Sequence, residues 1–155
     1  MTGVITVQQI TMIHCDGLFH LRNNPDVYRW FKNPKSISQQ EHTMWLKNII
    51  RLDSDLHLVA LILDLCIGVA HLSEVSPHYI SVSVDPKYQN QKIGSILLDT
   101  LIRNARFRNI PKVYAEINKS NQGSLALFQK HGFKKISFVA DGAVKGFEIF
   151  ELSLS

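Results

Sequence analysis

Between Ser81 and Ser95 the hydrophobic period changes, and that change constrains the fold more than any other feature of the chain. Ile80, Val82 and Val84 alternate with Ser81 and Ser83, which is the period of a strand. Asp85-Pro86 ends it, because proline offers no N–H to a ladder and fixes φ. From Ile93 the apolar residues fall at Ile93, Ile96, Leu97, Leu101 and Ile102, one face of a helix. The polar run Gln89-Asn90-Gln91-Lys92 and then Gly94 lie at the junction. A strand that feeds a polar loop and a helix N-terminus aims several backbone N–H groups at one point, at the positive end of the helix dipole. A pyrophosphate fits such a cradle, and a strand–turn–helix with a structural glycine has the same pattern.

At 155 residues the chain is expected to form one domain, residues 1–155, with a core that needs no disulfide or metal. A net charge of +4 with scattered Lys and Arg suits an anionic small ligand and lacks the clustered basic face that nucleic acid requires. Cys15 and Cys66 form neither a CxxC pair nor a metal spacing, so the expectation is two ordinary thiols in a reducing, cytoplasmic setting, with no metal. The longest apolar run, Leu58 to Leu63, is too short to span a bilayer, and no signal-peptide pattern opens the chain. Oligomeric state is not readable.

The other elements follow from local signals. Val4 to Ile10 alternates as a strand. Asp16 to Trp30 has helical spacing broken at Asn24-Pro25, where proline suits a first helical turn. Ser38 with Glu41 reads as a capping box for a helix to about Leu52, with Met44, Trp45, Ile49 and Leu52 on its apolar side. Leu56 to Leu63 and Cys66 to Val75 read as strands around a hairpin at Asp64-Leu65. After the helix that starts at Ile93, Val113, Ala115 and Ile117 mark one strand face, with Tyr114, Glu116 and Asn118 on the other. Asn121 opens a helix that His131-Gly132 ends. Phe133 to Ala140 and Lys145 to Leu154 read as closing strands joined at Asp141-Gly142. The result is a mixed α/β layer architecture.

Gln89-Asn90-Gln91-Lys92-Ile93-Gly94 resembles the coenzyme A loop of the GNAT acetyltransferase superfamily, Gln/Arg-x-x-Gly-x-Gly/Ala. Gln89 and Gly94 match, and Lys92 replaces the middle glycine with a charge. The segment from Asn121 to Phe133 resembles the family's Asn-x-x-(small)-x-x-x-Tyr-x-x-x-Gly-Phe helix, with Phe128 in place of Tyr. The element order is also that of the family. The resemblance implies a GNAT fold, an α/β architecture with a single mixed, mostly antiparallel sheet flanked by helices. It further implies acetyl-CoA held by Val82, Ser83, Val84, Gln89, Asn90, Gln91, Lys92, Ile93, Gly94, Ser95, Asn121, Ser124 and Phe128.

Leu21-Arg22-Asn23-Asn24-Pro25, Trp30, Ile37-Ser38, His42 and Trp45 together resemble the aminosugar N-acetyltransferases of the pseudaminic-acid pathway, with one extra residue between Trp30 and Ile37. That resemblance implies transfer of acetyl to the 4-amino group of a UDP-linked amino-dideoxy sugar, with Arg22, Trp30, Phe31 and His42 on the acceptor. Acetylation of a protein N-terminus or another small amine, and coenzyme A binding without catalysis, are the alternatives. Glu116 matches the place of a general base in several family members, and His42 and His71 are rivals. Each also reads as a structural or surface residue. Phe128 cannot protonate a leaving thiolate, which leaves Ser124, Tyr79 or water.

Overall fold

The computed structural model describes residues 3–136 and 145–155. In chain order its elements are β1 (Ile5–Gln9), α1 (Cys15–Arg22), α2 (Pro25–Tyr28), α3 (Gln39–Leu52), β2 (Leu56–Ile62), β3 (Leu65–Leu72), β4 (Ile80–Val84), α4 (Ile93–Phe107), β5 (Lys112–Asn118), α5 (Gln122–Lys130), β6 (Lys134–Lys135) and β7 (Phe147–Ser153). This is the expected order. The turn expected at Asp141-Gly142 lies outside the described residues.

Strands β1 to β4 pair antiparallel in sequence order, and β7 pairs antiparallel between β5 and β6. Among the described residues the two ladders meet at a single parallel bridge, Tyr79 to Tyr114, beside which Tyr114 N–H donates to the His78 carbonyl at 2.9 Å. The layer is therefore mixed and mostly antiparallel, as expected, but its hydrogen bonding is interrupted between β4 and β5.

The period-2 pattern of β2 and β3 buries both faces. Leu58, Ala60, Ala70 and Leu72 pack with Ile80 against Leu97, Leu98, Leu101 and Ile102 of α4. On the opposite face Val59, Leu61 and Cys66 pack with Leu18 of α1 and Leu46 of α3. Each fully buried leucine contributes about 1.5–3 kcal/mol, so α4 is anchored by its own apolar stripe.

Two helices bury faces slightly different from those expected. In α4, Ile96 is left 36% exposed while Leu98 is buried. In α3, Met44, Trp45 and Leu52 are exposed, and His42 and Leu46 are buried with Ile49 packed beside them. Positions 42, 46 and 49 have the same helical spacing as 45, 49 and 52, and the sheet beneath selects the first set. The β2–β3 turn falls at Leu63-Asp64, one residue earlier than expected, with Leu63 at φ 55.

Helix ends obey local chemistry. Ser38 Oγ accepts from Glu41 N–H at 3.1 Å and Glu41 Oε1 accepts from Ser38 N–H at 3.3 Å, the expected capping box. Gly132, at φ 91, follows the C-terminus of α5. Among the described residues no helix is long and apolar enough to cross a membrane.

Candidate active site

Where β4 and β5 share no ladder, a cleft of about 510 Å³ opens. One side of β4 is taken by β3, with Gly68 opposite Val84 and Ala70 opposite Val82. The other side of Ile80–Val84 lines the cleft, facing Ala115 to Asn118 of β5. A strand edge of this kind holds backbone N–H and C=O groups ready for an amide-bearing ligand arm.

The loop before α4 forms the next wall. Gln89, Asn90, Lys92, Ile93, Gly94 and Ser95 line the cleft, and Gln91 does not. Asn90 and Lys92 take the left-handed conformation, φ 66 and 65. Lys92 is the residue before the first turn of α4, and no side chain caps that end. The N-terminal amides of α4 are thus left for a bound anion, with the lysines Lys92 and Lys130 in the same lining. A Cβ on Gly94 would stand 3.1 Å from Leu127 Cδ2, so this glycine also lets α4 approach α5. The strand edge, the open helix terminus and the cations fit acetyl-CoA: β4 for the pantetheine amides, the α4 terminus for the diphosphate.

α5 supplies the far wall. Asn121 caps it, accepting from Ser124 N–H at 3.2 Å, and both residues line the cleft. Phe128 is 2% exposed, contributes to the lining, and packs edge-on against Phe133 with ring centres 5.0 Å apart. It has no proton to give. Among the described residues the hydroxyls in the lining belong to Ser81, Ser83, Ser95, Ser124 and Tyr88. Tyr79 is not among them. Tyr88 escaped the sequence reading, although Asp85-Pro86 marks the tight turn that places it: Asp85 Oδ1 accepts from Lys87 N–H at 3.0 Å.

Glu116, on β5, lies in the lining with its side chain 9% exposed. Its carboxylate is paired with the ammonium of Lys32, whose side chain is half exposed. No local pattern in the sequence pairs Lys32 with Glu116, because a loop lysine carries no period that points to a strand so far along the chain. Trp30 and Phe31 precede it and also line the cleft. Each ring carries an arginine: Arg22 lies 4.8 Å from the Phe31 centre and Arg29 lies 4.6 Å from the Trp30 centre. Arg22 also donates to the Lys35 carbonyl at 3.0 Å, and burial lowers its pKa from the ordinary value, with Tyr28 acting in the opposite sense.

His42 is placed elsewhere. Its ring is 1% exposed and packs between Phe19 and Trp45, and Nε2 lies 3.1 Å from the Cys15 carbonyl. The expected contact with substrate is corrected to a core position under α1. Desolvation lowers the His42 pKa; the Cys15 carbonyl and Asp16 oppose that shift, and Arg22 adds to it. His71 is outside the lining as well, bonded to Asp55 at 2.8 Å. Of the candidate bases, only Glu116 is in the cleft.

Comparison with known proteins agrees with this geometry. The profile described as "Acetyltransferase (GNAT) family" matches residues 24–133. The chain is 34% identical over 55 residues to the [ribosomal protein bS18]-alanine N-acetyltransferase of Escherichia coli K12, a match that spans 36% of this chain and 37% of that protein. The fold superimposes with a TM-score of 0.81 and 20% identity on a Salmonella typhimurium protein solved with its cofactor acetyl-CoA, covering 99% of this chain and 95% of the other. It does so with a TM-score of 0.81 and 15% identity on spermidine N-acetyltransferase from Vibrio cholerae, solved with CoA and spermine, covering 97% and 95%. With the profile spanning most of its length and the cleft formed by the same two motifs, the chain belongs to the acetyltransferase (GNAT) family.

Proposed function

We propose that the chain transfers acetyl from acetyl-CoA to a primary amine carried by a UDP-linked amino-dideoxy sugar. The observation that carries this reading is the make-up of the cleft's acceptor end. Glu116, in the lining, already holds the ammonium of Lys32, and Trp30 and Phe31 share that lining; Arg22 and Arg29, themselves outside the lining, lie 4.8 Å and 4.6 Å from the Phe31 and Trp30 ring centres. A flat base stacks on such rings, and arginine binds a diphosphate through charged, directional N–H groups. In this reading Lys32, half exposed, leaves Glu116 to an incoming ammonium.

Acetyl-CoA supplies an acetyl group activated as a thioester. Glu116 accepts a proton from the amine, directly or through water, which frees its lone pair for attack on the carbonyl. Backbone N–H groups at the β4 edge orient and polarise that carbonyl. A thiol has a reference pKa of about 8.5, so its departure needs little acid help. Ser124 and Tyr88, two of the hydroxyls in the lining, are assigned to give it. Holding both reactants in one cleft supplies much of the remaining rate.

A protein N-terminus is the second reading, favoured by the similarity to ribosomal-protein alanine N-acetyltransferases. Its ammonium would meet Glu116 in the same way. Steady-state kinetics with a UDP-4-amino sugar and a short peptide separate the two. Millimolar UDP is expected to compete with the acceptor and not with acetyl-CoA. Arg22→Ala is expected to raise the KM for the nucleotide sugar at least tenfold, about 1.4 kcal/mol. Glu116→Gln is expected to lower kcat while the acetyl-CoA KM stays put. Efficient peptide acetylation that UDP does not inhibit would replace the sugar reading with the peptide one.

A further inference from the structure

On the α1–α3 face of the first sheet, away from the β4–β5 cleft, three potential metal ligands converge from two neighbouring strands. Asp55 lies just before β2, His57 lies on β2, and His71 lies on β3. The register pairs His57 directly with His71, so both rings project from the same face. The rings stack with centres 4.4 Å apart and planes 16° apart. His71 Nε2 lies 2.8 Å from Asp55 Oδ2, while Asp55 Oδ1 accepts from Glu74 N–H at 2.8 Å. One ligand atom from each of the three residues falls within 4.8 Å of the other two, and all three residues are partly buried.

We propose that Asp55, His57 and His71 form a binding site for one divalent transition-metal ion of the zinc class. Two imidazoles and one carboxylate are a donor set that zinc accepts, with the remaining position left to water. Ligand atoms at zinc stand about 3.3 Å apart, given bonds of about 2.0–2.2 Å in tetrahedral geometry, so side-chain rotations close the set around an ion. The ion takes the place of the proton shared by His71 and Asp55. The site is already supported from behind. The Glu74 amide holds Asp55, and the edge of Trp45 abuts the His57 ring with centres 6.1 Å apart. None of the three lines the cleft. The site therefore stands independently of the acetyl-transfer reading.

The test is calorimetric titration of Zn²⁺ into chelator-stripped full-length protein, with the visible spectrum of Co²⁺ as a second probe. The expected result is one equivalent bound, and a Co²⁺ spectrum showing nitrogen ligation in a low-coordinate site. Asp55→Asn, His57→Asn and His71→Asn are each expected to weaken Zn²⁺ at least tenfold. His131→Asn is the control, because His131 with Asp99 is another histidine–carboxylate pair that lacks a second imidazole. It should leave the affinity unchanged. If a histidine variant fails to fold, Asp55→Asn and the wild-type Co²⁺ spectrum still decide. Absence of saturable binding to wild type overturns the proposal. So does binding that survives loss of these ligands, that falls equally in His131→Asn, or that gives only the spectrum of hydrated Co²⁺.

Discussion

Lys92 occupies a backbone conformation, φ 65, that costs a side chain with Cβ about 1–2 kcal/mol. The family pattern places glycine there, and the structure shows the reason in this chain's own dihedrals. Lys92→Gly is expected to raise stability by about 0.5–1 kcal/mol, since added freedom in the unfolded chain offsets part of the relief. That is about 2 °C in Tm for a chain of this size; a fall in Tm would mean the lysine side chain contributes more than its backbone costs. His42 carries a residue-scale prediction of its own. Its pKa is lowered in the fold, chiefly by burial, so below the ordinary value of about 6.5 the unfolded chain binds the proton first. Stability is therefore complete above that value and falls as pH drops through it toward the folded value. Urea melts at pH 7.5 and pH 5.5 should show a smaller acid loss in His42→Phe than in wild type. Equal losses would remove His42 from the pH response.

At the scale of elements, the segment between α2 and α3 is clamped at its end by Asn23, beside the Arg22 bond to the Lys35 carbonyl. Asn23 Nδ2 donates to the Ile37 carbonyl at 2.9 Å, and Asn23 Oδ1 accepts from Ile37 N–H at 2.8 Å. Those two bonds close the loop that carries Trp30, Phe31 and Lys32, and the Ser38 capping box then starts α3. Asn23→Ala leaves two partly buried backbone groups without their partner, a loss of about 1–3 kcal/mol. The KM for the acceptor should rise while the acetyl-CoA KM stays within about twofold, since Asn23 lies outside the cleft lining that β4, α4 and α5 supply. Parallel rises in both constants would mean that the loop and the coenzyme walls are one mechanical unit. Asn23 was legible as part of a motif, but its job as a clamp was not. A side chain that hydrogen-bonds 14 residues away leaves no local period.

For the molecule as a whole, the consequential feature is that among the described residues two ladders meet at one bridge and then part. A ligand lying between β4 and β5 joins them. Acetyl-CoA at a hundred times its Kd is therefore expected to stabilise the fold by about 2.7 kcal/mol, seen as a rise in Tm and as slower amide exchange in β4 and β5. Protection confined to the α4 loop would place the ligand on the helix terminus alone. The nature and order of the elements were set locally: period 2 turning to a helical period around Gly94, caps at Ser38 and Asn121, and a stop at Gly132. Those signals involve neighbours within a few residues, so the chain itself determines them, and two walls of the cleft followed because their motifs are contiguous. What joined distant segments was decided only in the tertiary structure. Strand β7 enters between β5 and β6, Lys32 reaches Glu116, and the sheet chooses Leu46 over Trp45 as the buried side of α3. His42 moves from the acceptor to the core, and Asp55, His57 and His71 come together. Each of these depends on register and burial between elements far apart in sequence, where several pairings satisfy the same local pattern and only packing selects one.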